Sequence, residues 1–406
     1  MGKKSFRFLW IGQTMANAGD ILYIVGLISA IYAVTGSALY MALLPFFNMT
    51  ARMVSALLAP FLLDRVLLQR LLAFSQMGKT AVLFVLVLFL NVFLKDGLLT
   101  VLFVFVGLIA FLDGWASPAR GALLPRLVEK HELVKANSFI AVIDRTIQLG
   151  IWPLGAILVA GFGAAQTVWF TVALYLAASV LMIGLLKTAA IDREETIHEK
   201  KFDGFKEGWM TILKTPFLLL ISVTELIETA AGVVWIAAIM YIYVAEVLQA
   251  GEAWWGYINS SFFAGLLIGG MLGLKFSSVI EARLKLFIIA GGILTAAITL
   301  CFALIANPFI ALALSMLFGF CSQLKGVAQQ TIVQVNVKER LLPKVYSAQE
   351  AAYFAVFGLG TLVFGYLTEW GGPRFIFGLS GGLLVVSALL LIVFRAYLHE
   401  KALLNE

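Results

Sequence analysis

The sequence predicts an all-α membrane protein of about twelve transmembrane helices in two six-helix pseudo-repeats, with both termini cytoplasmic. Three observations carry this reading: long apolar runs, basic residues gathered between alternate runs, and a stretch that recurs once in each half. Of 406 residues, 62% are hydrophobic and 13% charged, against roughly 45–50% and about 25% in soluble domains. Too little polar surface is left to coat a compact fold in water. A span takes roughly 20 apolar residues, so a dozen use about 240 and leave the rest for loops. A soluble enzyme, a nucleic-acid-binding domain and a secreted disulfide scaffold are poor fits.

The runs fall at 8–34, 38–63, 72–94, 98–117, 139–162, 166–186, 217–241, 254–274, 286–306, 309–324, 348–368 and 375–394. Helices are expected because each satisfies its own backbone hydrogen bonds in lipid, and the alternation of barrel strands is absent. The first run follows Lys3, Lys4 and Arg7 without a small-residue cleavage site, so it reads as a retained span. Every second connection is then basic: Arg65 and Arg70, then Arg120, Arg126, Lys130 and Lys135, then the central loop from Lys187 to Lys214. Lys275, Arg283 and Lys285 follow, then Lys325, Lys338, Arg340 and Lys344, then Arg395 and Lys401. The intervening outer segments hold only Lys95 and Arg374, while Arg52, Lys79 and Arg145 fall within or near spans. This asymmetry sets both termini inside by the positive-inside rule. The net charge of +6 is therefore a topology signal, not a sign of nucleic acid. Trp10, Trp169, Trp254, Trp255 and Trp370 lie near the ends of runs, as an interfacial aromatic belt requires.

The organisation is a bundle at 1–186, a cytoplasmic linker at 187–215 and a second bundle at 216–406. In the linker, Phe202, Phe205, Trp209, Ile212 and Leu213 recur at helical spacing among charged residues, the pattern of an amphipathic helix on the membrane face. Setting 119–138 against 328–347 pairs Ala119 with Ala328, Val128 with Val337, Leu133 with Leu342, Lys135 with Lys344 and Ser138 with Ser347. A duplicated six-helix unit explains the length, the central tether and this match together.

Ionisable groups in hydrocarbon cost at least roughly 2.5–3.5 kcal/mol each, so those present call for a role. They are Asp20, Arg52, Asp113, Asp144, Arg145, Glu225, Glu228 and, near a span start, Glu350. Asp20, Glu225 and Glu228 are near the midplane by helix rise, where transporter sites lie. Glu225 and Glu228 share a helix face that continues through Gly232 and Trp235. Two close carboxylates in low dielectric do not both ionise easily, which suits one to take up and release a proton. The plainer reading is that both face water or pair with a base. Asp113 either lines the cavity or pairs with a base such as Arg120. Arg52, Asp144 and Arg145 read as ion-pair partners between helices. Trp115 and Trp235 are candidates to stack on an aromatic compound, or ordinary packing residues.

Other signals are bland. Cys301 and Cys321 lie in apolar runs and read as packing residues. His131, His198 and His399 form no ligand cluster, so no metal site is expected. No phosphate loop, GxSxG or HExxH is present, so neither an enzyme nor a bound cofactor is expected. Gly265, Gly269, Gly270 and Gly273 allow close helix approach.

Gly19-Asp20, Thr35-Gly36-Ser37-Ala38 and Asp64-Arg65 resemble motifs of the major facilitator superfamily. Pro118-Ala119-Arg120, Leu124-Pro125 and Ala136-Asn137-Ser138 are similar to its bacterial drug-exporter branch, which includes macrolide efflux proteins. Pro60, Leu67, Leu68 and Gln69 depart from the family's loop between spans 2 and 3, and Trp152 and Ala156 from its antiporter motif. The resemblance implies two halves rocking about a cavity lined by spans 1, 4, 7 and 10, with Asp64 and Arg65 in a gate. It implies proton-driven export of an amphiphilic compound by a monomer in a bacterial plasma membrane, with the proton gradient as energy source; an acidic cavity favours a lipophilic cation. The competing expectations are an exporter of an endogenous siderophore, lipid or metabolite, and a non-transporting sensor or scaffold.

Overall fold

A computed structural model describes residues 4–35, 38–63, 65–93, 99–188, 203–235, 237–251 and 253–398. These form fifteen α-helices. In the first half they are α1 (Lys4–Thr35), α2 (Ala38–Leu63), α3 (Leu68–Phe93), α4 (Leu99–Gly114), α5 (Ala116–Leu127), α6 (Leu133–Phe162) and α7 (Ala164–Thr188). Then come α8 (Asp203–Lys214), α9 (Pro216–Gly232), α10 (Ala237–Glu246), α11 (Ala253–Lys275), α12 (Ser277–Glu281), α13 (Leu284–Leu304), α14 (Pro308–Asn336) and α15 (Leu342–Val393).

Among the described residues, eleven helical stretches are long and apolar enough to cross a bilayer. The shortfall from twelve has a local cause. α15 runs 52 residues, about 78 Å of helix, far more than a bilayer's thickness. Gly372 interrupts it with φ 76° and ψ 167°, and Pro373 opens a new helix, so the run holds two spans. Two other spans are interrupted. A turn at Trp115 separates α4 from α5, and a 3₁₀ turn at Val233–Trp235 divides the seventh span, which the apolar pattern predicts as continuous.

One hydropathy boundary is corrected. The tenth apolar run ends at 324 because Gln323, Lys325 and Gln329 interrupt it, yet α14 continues to Asn336. Lys325 therefore lies inside the helix, 3% exposed, and not in an inner loop. Cys321 is buried, whereas Cys301 is exposed on its helix surface. Leu304, Val180 and Tyr366 are likewise exposed, as side chains facing acyl chains would be.

By internal contacts the chain forms two compact units. The first comprises 1–128, 146–209 and 339–354; the second comprises 129–145, 210–338 and 355–406. In the first, α2 and α3 both pack on α4, around a core that includes Tyr23, Leu27, Val87, Val106, Val168 and Tyr175. In the second, α11 and α13 both pack on α14, around Tyr243, Phe302, Phe364 and Phe377. The second and third spans of each half thus pack on the fourth, the arrangement a duplicated unit repeats. Each unit also includes a short arm from the opposite half of the sequence, and the two arms overlap the stretches that the internal match aligns.

Small residues set the closest approaches. A side chain at Gly265 would enter the backbone carbonyl of Met316, and one at Gly319 the carbonyl of Phe262, so α11 and α14 meet backbone to backbone. Ser261 donates to the Leu312 carbonyl at 2.5 Å and Ser315 to that of Ile258 at 2.9 Å. Gly270 and Gly273 turn the other way, onto Val142 and Ser138 of the second unit's arm. The glycine series therefore serves two helix contacts. Gly265→Val is expected to force α11 off α14 at a cost of about 3 kcal/mol or more, because the obstacle is backbone and cannot rotate away. A fall in melting temperature by fluorescence-detected gel filtration checks this, with Gly256→Val, which meets open space, as the tolerated control.

Candidate functional site

In the first unit, charges on four helices form one connected chain. Lys79, at the middle of α3 and 1% exposed, places its Nζ 2.8 Å from Asp20 Oδ1 of α1 and 2.6 Å from Asp113 Oδ1 of α4. The other oxygen of Asp113 takes Arg52 Nη2 of α2 at 2.5 Å. Arg52 Nε donates to Asn48 Oδ1 at 3.1 Å, and Asn48 Nδ2 donates to the Tyr23 hydroxyl at 3.2 Å. The Tyr175 hydroxyl of α7 donates to Asp20, and the lysine ammonium sits 5.1 Å from that ring's centroid. Two acids meet two bases, so the chain is neutral and ties five helices together. Asp113 is thereby an ion-pair partner of Lys79 and Arg52.

The arm of the first unit carries another acid. Ser117 Oγ donates to the Glu350 carboxylate, and Arg52 and Arg120 supply positive potential around it. Ser347 donates to the Ala56 carbonyl of α2. At the start of α15, Arg340 donates to Glu207 of α8 at 2.6 Å and Lys344 pairs with the same carboxylate, while Gly208 lies against the Lys344 backbone. The amphipathic linker helix is thus clamped by a charge cluster as well as by its apolar face, where Ile212 is buried.

In the second unit the charges do not balance. Glu228 of α9 pairs with Lys325 of α14 and accepts a hydrogen bond from Ser387 of α15 at 2.5 Å. Glu225 lies one turn earlier on the same face, partly exposed. Among the described residues its carboxylate takes no ion pair or hydrogen bond. Gly232, further along that face, meets open space, and α9 ends there in the 3₁₀ turn. Two carboxylates, one lysine and a helix break therefore share one partly open region. Arranged so, a carboxylate can exchange a proton or meet a cation without first breaking a salt bridge.

The remaining predicted residues fall elsewhere. Asp144 and Arg145 lie on α6 in the second unit's arm, and Arg120 on α5; each is engaged with neighbours. Arg65 is exposed in the turn after α2, and Asp64 lies outside the described residues. Trp115 meets Phe111 edge-on at 4.9 Å. Trp235 stacks on Phe318 at 4.1 Å and also contacts Phe262, Phe302 and Phe377, so protein rings already hold the surface a substrate would need. Sequence reasoning gave no role to Lys79 and missed Lys325, Tyr175, Asn48 and Ser387. A lysine centred in an apolar run is itself the signal: it requires an acid at its own depth.

The family model for the Major Facilitator Superfamily matches residues 9–348. The chain is 27% identical over 389 residues, 95% of both chains, to the uncharacterized MFS-type transporter YfmI of Bacillus subtilis (strain 168). It is 26% identical over 277 residues to the enterobactin exporter EntS of Escherichia coli O1:K1, covering 67% of this chain and 64% of that one. In fold it is similar to a bacterial homologue of the iron transporter ferroportin solved in an outward-facing state, with TM-score 0.82, 13% identity and coverage of 97% and 99%.

Replacing Lys79 with Met is expected to leave two buried carboxylates short of a partner and to cost about 3–5 kcal/mol. Adding Asp20→Asn should recover part of that loss, since Asp113 keeps Arg52. Thermal unfolding of the single and double variants in detergent measures both steps.

Proposed function

Since the chain belongs to the major facilitator superfamily, a group of membrane transporters, we propose that it exports amphiphilic compounds by proton antiport through alternating access. The observation that carries the proposal is the unequal charge count around Glu225, Glu228 and Lys325. With both glutamates ionised the cluster bears one net negative charge; with one proton bound it is neutral. Lys325 holds Glu228 in place while Glu225 takes up or releases the proton. A cationic or hydrogen-bonding group of the substrate can replace the proton at the same carboxylate, so that each is bound only when the other has left. That exclusion is the requirement for antiport. The neutral chain of Asp20, Lys79, Asp113 and Arg52 serves to hold the helices of the first unit, and the break after α9 supplies flexibility beside the exchanging acid. The basic inner loops support a reading with both termini in the cytoplasm, in a bacterial plasma membrane.

The match to an enterobactin exporter favours a second reading of the cargo: an endogenous siderophore or other metabolite. The two readings share the proton mechanism and differ in substrate.

Glu225→Gln is the decisive variant, because it removes the acid without stranding a buried base. In inverted vesicles energised by a pH gradient, export of a lipophilic dye should fall about tenfold, within the roughly 5–150-fold range of coupling between two bound ligands, while dye binding to the purified protein persists. Export by the variant that keeps its normal dependence on the gradient would remove Glu225 from the coupling. Glu228→Gln should instead lower stability, as Lys325 loses its partner.

A further inference from the structure

A cavity lies in the second unit, its first lining residue, Glu246, 18 residues beyond Glu228. It measures about 490 Å³ and is lined by the end of α10 and the residues after it, by Ala306, and by the Gly371–Arg374 break in α15. Two backbone features build it. Gln249, at φ 48°, takes the left-handed conformation that closes α10, with the Ala250 amide bonded to the Val244 carbonyl at 3.2 Å. Gly372, at φ 76°, ends one helix, and Pro373 and Arg374 begin the next. One turn before Glu246, the Tyr243 hydroxyl donates to the carbonyls of Phe302 at 2.7 Å and Ile305 at 3.1 Å, which ties α10 to the end of α13.

The charges on this cavity are opposite and apart. Glu246 stands at the carboxyl end of α10, where the helix dipole is negative, and Arg374 at the amino end of the following helix, where it is positive. Both are exposed, and among the described residues neither has an ion pair or a side-chain hydrogen bond. One part of the lining therefore attracts a cation and another an anion. Trp370 and Phe375, on either side of the break, are exposed and meet edge-on at 6.0 Å. Exposed aromatic residues at a span end mark the headgroup level of a bilayer.

We infer that this cavity binds a zwitterion carrying an N–H cation and a phosphate or carboxylate, and that its source is the headgroup of an ethanolamine phospholipid. The ammonium donates to Glu246 and the Ala245–Glu246 end of α10, the phosphate accepts from Arg374, and the acyl chains lie along Trp370 and Phe375. The site is independent of the proton-coupling proposal.

The test uses the purified full chain, stripped of lipid and exposed to phosphatidylethanolamine, phosphatidylcholine, phosphatidylglycerol or free O-phosphoethanolamine, with bound lipid counted by native mass spectrometry and stability by thermal shift. Phosphatidylethanolamine should bind best, since phosphatidylcholine has no N–H to donate and phosphatidylglycerol no cation. Glu246→Gln and Arg374→Gln should each reduce its retention about tenfold, the effect of one lost charge-assisted hydrogen bond, while Arg395→Gln should not. Equal retention of the three lipids, or unchanged retention in both cavity variants, overturns the site. Stabilisation by O-phosphoethanolamine equal to that by the lipid, and lost in both variants, supports the site but overturns the lipid as its source.

Discussion

A charge placed in an apolar bundle must be answered by another charge within a few ångströms, and that constraint orders the interior of both units. At about 3 Å and an effective dielectric near 20, opposite unit charges attract by roughly 5–6 kcal/mol. Desolvating each ion costs several kcal/mol, so a well-made pair comes close to break-even and a lone ion does not. The first unit satisfies this at its chain of charges on α1 to α4, while Glu350 accepts from the Ser117 hydroxyl in the field of Arg52 and Arg120. Lys79 is shared between Asp20 and Asp113, and Arg52 completes the count. The second unit satisfies it for Glu228 and Lys325 and leaves Glu225 over. A protein that only needed to stand would gain by losing that acid, which is why the surplus charge points to work done by the group.

Backbone geometry places the two networks. The acids of the first unit ride on helices held at close range, with Gly114 of α4 against Ser55 and the Arg52 carbonyl. Ser55 donates to the Phe111 carbonyl at 2.6 Å, so α2 and α4 are fixed beside the Arg52–Asp113 pair. In the second unit, α9 stops at Gly232 one turn beyond Glu228. Helix breaks at this depth are tolerated where protein or an aqueous opening meets the freed backbone groups. A rigid ion-pair chain in one unit and an interrupted helix beside an unpaired acid in the other are different solutions to the same problem.

The sequence made the bundle legible because lipid imposes a coarse rule: apolar runs of sufficient length are helices, and basic loops tell them apart. It failed where polarity belonged inside. Lys325 was assigned to a loop since a hydropathy window cannot distinguish a lysine that faces water from one that faces Glu228. The division of the seventh span went unseen for the opposite reason, as Val233, Val234 and Trp235 are all apolar. Asp20, Glu225, Glu228, Asp113 and Arg52 were legible as costly residues, but their partners were not. Pairing depends on which helices adjoin, and that is a tertiary fact. The recurrence of Ser138 and Ser347 was legible, and its meaning emerges only in three dimensions: each sits on an arm packed against a helix of the unit it joins, Ser347 at Ala56 of α2 and Ser138 at Gly273 of α11.

α15 links these features along one stretch of helix. Its first turns belong to the first unit, where Ser347 and Glu350 bond to Ala56 and Ser117. Further along, in the second unit, Gly360 packs on Val233 and Ala230 beside the end of α9. Ten residues, about 15 Å of helix, separate Glu350 from Gly360, and no proline or glycine break intervenes before Gly358. Glu350 lies within the field of Arg52 and Asp113, while Ala230 is two residues from Glu228. The first turns of α15 thus complete the polar region of the first unit, and its middle turns cover the end of α9 in the second.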